Sequence, residues 1–132
     1  MKKSVAVSFA LAILVAASAW AHHNMSAMFD LSRVFTETGT LTQLDWRNPH
    51  MSVSVRVESE EGRIETWMFE GPSPGRFREG DDRFGDVRRS DFENSIGKTV
   101  TVEASPARDG SLSGLMREIT LADGQVVSVC PC

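Results

Sequence analysis

The stretch RVFTETGTLTQLDW, residues 33–46, decides the predicted architecture. Its threonine and apolar residues favour one long β-strand. Gly39 in its middle predicts a bulge or a sharp coil of that strand. The apolar parity changes between Leu41 and Leu44, as a bulge would cause. We therefore expect a long first strand that bends strongly along its length.

The residues that follow predict a β-hairpin. The sequence MSVSVRVE, residues 51–58, alternates strictly and puts four apolar residues on one face. These are Met51, Val53, Val55 and Val57. A loop at residues 59–62 then leads into a third strand, RIETWMFEG at residues 63–71, which carries Trp67 and Phe69 on one face. We expect these two aromatic residues, together with Trp46, to pack in the core.

The second half begins with a charged stretch, residues 72–97, that Gly and Pro interrupt. It predicts one short helix at residues 75–79 and another from an N-cap at Ser90 through Ser95. A fourth strand follows at residues 98–107, and residues 115–129 predict a hairpin with Asp123 and Gly124 at its tip.

This order of elements defines the fold class. Three strands, a helical connection and at least two more strands match an all-β domain with short helices, specifically a small OB-like β-barrel. A β-sandwich is the alternative. The length of 132 residues suits one domain, for which we expect residues 22–132.

The first residues predict a signal peptide at residues 1–21. A basic start, MKK, precedes an uncharged apolar run at residues 5–17 and the small-residue pattern SAWA. The run is shorter than the roughly 20 residues that span a bilayer, and no later segment comes closer. We expect cleavage after Ala21, or else after Ala19, and a periplasmic or secreted protein without a membrane span.

The charge balance argues against nucleic acid as a partner. The chain has 14 basic and 18 acidic residues, a formal net charge of −4. The two charges within residues 1–21 are both lysines, so cleavage would make the domain more acidic. An acidic surface repels phosphate backbones.

Cleavage after Ala21 would make His22 the first residue and change its chemistry. Its α-amine and its ring nitrogen could then chelate one metal ion, since both lose their protons easily near neutral pH. His50, with His23 as a substitute, would supply a further imidazole. The arrangement resembles the histidine brace of copper-dependent polysaccharide monooxygenases and some periplasmic copper carriers. Cleavage after Ala19 would instead place His22 third from the amine, a spacing that resembles the amino-terminal copper and nickel motif.

Each candidate ligand also has a structural interpretation. The terminus is a metal-free polar segment in one alternative, and His50 bonds the turn backbone beside Asn48 in another. Met25, Met28 and Met51 offer thioethers suited to Cu(I), but Met51 falls on the apolar face of its strand. For Cys130 and Cys132, a strained disulfide, an intermolecular disulfide, a soft-metal pair and a free tail all remain open.

Several stretches together resemble a known family. They are His22-His23, Phe29-Asp30, TGTLTQLDWRNPH, WMFEGPSP, GKTVTVEASPARDGS and ITLADG. They resemble a family of small exported bacterial proteins that is known only as a domain of unknown function. The resemblance implies a fold and a compartment but no activity.

Three functions follow from these observations, in order of preference. The first is copper carriage or buffering through His22, His23 and His50, with copper favoured by the affinity order of divalent metals. The second is a non-enzymatic module that binds an envelope protein through the open face of the barrel or the charged middle stretch. The third is a copper oxidase or oxygenase, although no hydrolase, zinc-protease or phosphate-loop motif indicates an enzyme.

Overall fold

The computed structural model of the protein describes residues 25–77 and 86–129. A one-turn helix, α1 (Met25–Met28), precedes three strands, β1 (Phe35–Asp45), β2 (Ser52–Glu58) and β3 (Ile64–Glu70). A short 3₁₀ turn (Pro74–Arg76) and helix α2 (Arg89–Glu93) follow. The chain continues through β4 (Thr99–Pro106), β5 (Ser113–Thr120) and β6 (Val126–Ser128). All the predicted strands are therefore present.

The strands form a closed barrel. β1 pairs with β2 and β4, β2 pairs with β3, and β4 pairs with β5, all antiparallel. A parallel pairing of Met68, Phe69 and Glu70 on β3 with residues 113–115 of β5 closes the ring. The resulting order 1-2-3-5-4 confirms the small all-β barrel and excludes the sandwich, which would leave two separate sheets.

The long first strand bends because it pairs with two neighbouring strands along its length. Its first half pairs with β4 and its second half with β2, and the register shifts between Leu41 and Gln43. The bulge therefore lies where the apolar parity changes. At Gly39 a Cβ would lie 2.3 Å from the backbone oxygen of Arg56, so only glycine allows the two strands this close.

The interior holds the residues that the alternation predicts. Met51, Val53, Val55 and Val57 are all buried, and Phe69 is fully buried with them. Val100 and Val102 of β4 belong to the same buried cluster. Trp46 and Trp67 are partly buried and pack against it. This confirms the predicted core.

Helix α2 closes one end of the barrel. Its buried Phe92 lies 5.5 Å from Trp46 and 5.7 Å from Phe77 between ring centroids, and we call these three residues the aromatic cap. The predicted N-cap at Ser90 is wrong, because the helix begins at Arg89. The Asp91 carboxylate accepts the Arg88 backbone N–H at 2.7 Å and so takes the capping role.

Two further predictions concern the last hairpin and the first short helix. The hairpin of β5 and β6 turns at Asp123 and Gly124, and Gly124 has a φ of 89°. The 3₁₀ turn replaces the helix predicted at residues 75–79, of which residues 78–79 lie outside the described part. None of the helices in the described residues is long and apolar enough to span a membrane.

Candidate functional site

The segment from Trp46 to Met51, here called the histidine loop, joins β1 to β2 and carries His50. Trp46 anchors its start in the aromatic cap, 5.0 Å from Phe77. Arg47 turns back and pairs with Asp45, and its hydrogen bonds lower the pKa of the Asp45 carboxyl. The loop is thus fixed at one end by packing and by an ion pair.

The far end of the histidine loop is fixed by backbone hydrogen bonds to the end of β3. Met51 N–H donates to Pro72 O at 2.9 Å, and Gly71 N–H donates to Met51 O at 2.9 Å. The antiparallel register places Ser52 opposite Glu70. His50 is therefore held beside Glu70, although the two residues are twenty positions apart in sequence.

The imidazole of His50 contacts the carboxylate of Glu70. Its Nδ1 atom is hydrogen-bonded to Glu70 Oε1, and the two side chains are 34% and 23% exposed. Glu70 faces outward on β3, since it shares parity with exposed Met68 and Thr66. This pair therefore lies on the outer surface of the barrel, within reach of solvent and ligands.

The contact determines what His50 can do chemically. A neutral imidazole that donates Nδ1–H to a carboxylate presents the lone pair of Nε2. Histidines that bind metals commonly have this carboxylate partner, which sets the tautomer, orients the ring and raises its basicity. The alternative in which His50 bonds the turn backbone beside Asn48 is not what the structure has.

The chain that follows His22 and His23 is anchored to the β4–β5 loop, residues 107–112. Phe29 is buried and forms an isolated bridge with Ala107, and Arg108 N–H donates to Met28 O at 2.9 Å. The Arg108 guanidinium also donates to Ser26 O at 2.9 Å. These contacts fix the position of α1, where the described part of the chain starts.

The same loop lies against β3. Met68 N–H donates to Leu112 O at 3.0 Å, two residues before Glu70. A strand rises about 3.3 Å per residue, so Leu112 and Glu70 are separated by about 7 Å along β3. A cavity of about 470 Å³ lies between α1 and this loop. It is lined by Ala27, Met28, Phe29, Ala107, Arg108, Asp109, Ser111 and Ser113.

The other predicted ligands have separate outcomes. His22 and His23 lie outside the described residues, as do Cys130 and Cys132. Within residues 25–77 and 86–129, no group of three or more His, Cys, Asp or Glu side chains is arranged to hold a metal ion. Met51 is fully buried in the core, whereas Met28 is 56% exposed.

Sequence reasoning missed two residues of this region. Glu70 is the last residue of the third strand, directly before Gly71. Its position in the alternation indicated that it faces outward. Only the register of β2 and β3 reveals its contact with His50. Met68, 48% exposed, lies on the same outward face.

Comparison with known proteins gives one match. A family model described as a family of unknown function, DUF6152, matches residues 10–117. The matched range includes all three histidines and ends within β5, before the two cysteines. No curated protein and no solved structure matches the chain.

Proposed function

This chain belongs to DUF6152, a family of unknown function, and we propose that it is an exported barrel that binds one copper ion for carriage or buffering. The ion is bound by His22 through its ring and its free α-amine, together with the Nε2 atom of His50. His23 is the substitute for the second imidazole. The activity is binding and release, without a chemical reaction on a substrate.

The hydrogen bond between His50 and Glu70 is the observation that carries this proposal. A histidine on a loop fixed at both ends, with a carboxylate on one ring nitrogen, supports a role as a metal ligand. Nitrogen ligands in a tetragonal arrangement suit Cu(II), and copper leads the affinity order among divalent metals of its row.

The path of the chain also supports the proposal. The described residues start at Met25, where the chain lies on the β4–β5 loop beside β3. The three residues from His22 to Met25 have an extended reach of about 10 Å. Leu112, at the far end of that loop, lies about 7 Å from Glu70 along β3.

Copper titration of protein recovered after export tests the proposal. We expect the intact mass to correspond to a chain that begins at His22. Calorimetry should give one tight copper site per chain. His22→Ala and His50→Ala should each weaken Cu(II) binding by at least tenfold, because each removes one imidazole from the ion. Electron paramagnetic resonance should show nitrogen coupling that decreases in both variants.

The matched control is a form with one additional alanine before His22. It keeps every side chain but moves the amine away from the imidazole of His22. Equal copper affinity in this form would contradict binding through the terminal amine. A protein that begins at Met25 or later would rule the proposal out.

A further inference from the structure

Among the described strands, the first half of β3 has one edge without a neighbour. β5 pairs only with Met68, Phe69 and Glu70, and no other strand of the described residues covers residues 64–67 on that side. Met68 points its N–H toward the β5 side, so Ile64 and Thr66, which share its parity, point theirs the same way. We call residues 64–67 the free edge. Its outward-directed backbone donors and acceptors have no strand partner within residues 25–77 and 86–129.

Apolar side chains accompany the free edge on its outer face. Ile64 is 62% exposed and Met68 is 48% exposed, and both face outward from β3. A strand added here would cover these two side chains with its own outward residues, because neighbouring strands pair their side chains on each face.

The inner face beside the free edge is acidic and aromatic. Glu65 and Trp67 point inward from β3, and Phe35 and Glu37 approach them from β1. The Phe35 and Trp67 ring centroids are 5.0 Å apart. The buried Nε1 atom of Trp67 has no hydrogen-bond acceptor among the described residues. We call these four residues the open mouth.

The two carboxylates of the open mouth repel each other. Burial raises the pKa of Glu37, and the charge of Glu65 raises it further. Neither carboxylate has an ion-pair partner in the described part of the chain. A cation placed between them would relieve the repulsion and would lie near two aromatic rings.

We propose that the free edge binds an extended, basic segment of a partner protein as an additional β-strand. The backbone of this segment pairs with Ile64 and Thr66. One of its lysine or arginine side chains points inward to Glu37 and Glu65, and its alternate apolar side chains cover Ile64 and Met68.

Charge complementarity favours this occupant over a second copy of the chain. A second copy would bring the same two carboxylates to the edge, on a chain with a formal net charge of −4. A basic segment instead compensates both carboxylates. Copper binding in our proposal uses His22 and His50, and neither residue belongs to the free edge, so the two proposals are tested separately.

Amide spectra of the full chain with a synthetic peptide test the proposal. The probe is an acetylated and amidated peptide TKVKVT, and its matched control is TEVEVT. We expect the lysine peptide to shift the amides of Ile64 and Thr66, to protect them from hydrogen exchange, and to bind about tenfold more tightly than the glutamate peptide. The double substitution Glu37→Gln and Glu65→Gln should remove this preference.

Backbone methylation of the probe separates strand addition from attraction between charges. Two methylated probes are compared, one with N-methyl groups on the odd-numbered residues and one with them on the even-numbered residues. Only one edge of the peptide faces β3, so methylation should abolish binding of one probe and leave binding of the other unchanged. Equal binding of both probes, shifts elsewhere, or no shift at 1 mM peptide would each overturn the proposal. Concentration-dependent shifts of Ile64 and Thr66 without peptide would identify a second copy as the occupant and also overturn it.

Discussion

Glu65 and Glu70 lie on the same strand, yet their surroundings are opposite. Glu70 faces outward at the end of β3 and contacts the imidazole of His50. Glu65 faces inward at the start of β3, next to a second carboxylate, Glu37. One carboxylate has a hydrogen-bonding partner within the chain, and the other lies near a second carboxylate that repels it.

The two ends of the barrel explain this difference. At the end near Glu70, the aromatic cap fills the space and fixes the histidine loop. At the end near Glu65, the inward positions of β1 and β3 are only partly buried, so ionisable side chains remain there. Packing therefore orders His50, the proposed copper ligand, at one end and leaves Glu37 and Glu65 only partly buried at the other.

Ring truncation at each end is the largest expected effect and tests whether the ends differ. Phe92→Ala at the closed end should lower the free energy of unfolding by about 3–5 kcal/mol, because Phe92 is fully buried. Phe35→Ala at the open mouth should cost about half as much, since Phe35 is only partly buried. Urea unfolding measures both. Equal losses would show that packing does not distinguish the two ends.

Neutralising Glu70 tests whether its contact with His50 matters for a ligand and not only for the fold. Glu70→Gln should weaken Cu(II) binding by about 10- to 100-fold, because the imidazole loses the carboxylate that orients it. Stability should change little, as both side chains are partly exposed. Calorimetry compares the copper affinity of this variant with that of Glu58→Gln. The control removes an exposed carboxylate on β2. Unchanged affinity in Glu70→Gln would separate the contact from metal binding.

Sequence patterns predicted what depends on neighbours along the chain. The alternation of residues 51–58 identified four buried residues, Met51 and three valines of β2, and the parity change in β1 located the bulge. The patterns did not reveal contacts that depend on register between distant strands. The parallel pairing of β3 with β5, the contact of His50 with Glu70, and the approach of Glu37 to Glu65 all join residues at least twenty positions apart. The predicted cap at Ser90 was wrong because the helix begins earlier: Arg88 is the N-cap residue, and Asp91 at the third helical position accepts its backbone N–H.

Removing the charge of Glu37 has the smallest expected effect and sharpens the comparison most directly. The pKa of Glu37 is raised in the folded protein, so its neutral form favours folding. That contribution is complete below the unfolded pKa of about 4.3 and is lost as pH rises through the folded value. Glu37→Gln should therefore raise the free energy of unfolding by about 0.5 kcal/mol at pH 7 and leave it unchanged near pH 3. Urea unfolding at both values measures the difference, with Glu58→Gln on the exposed face of β2 as the control. A loss of stability at pH 7 would show that Glu37 has a compensating partner within the chain, which would remove the contrast with Glu70.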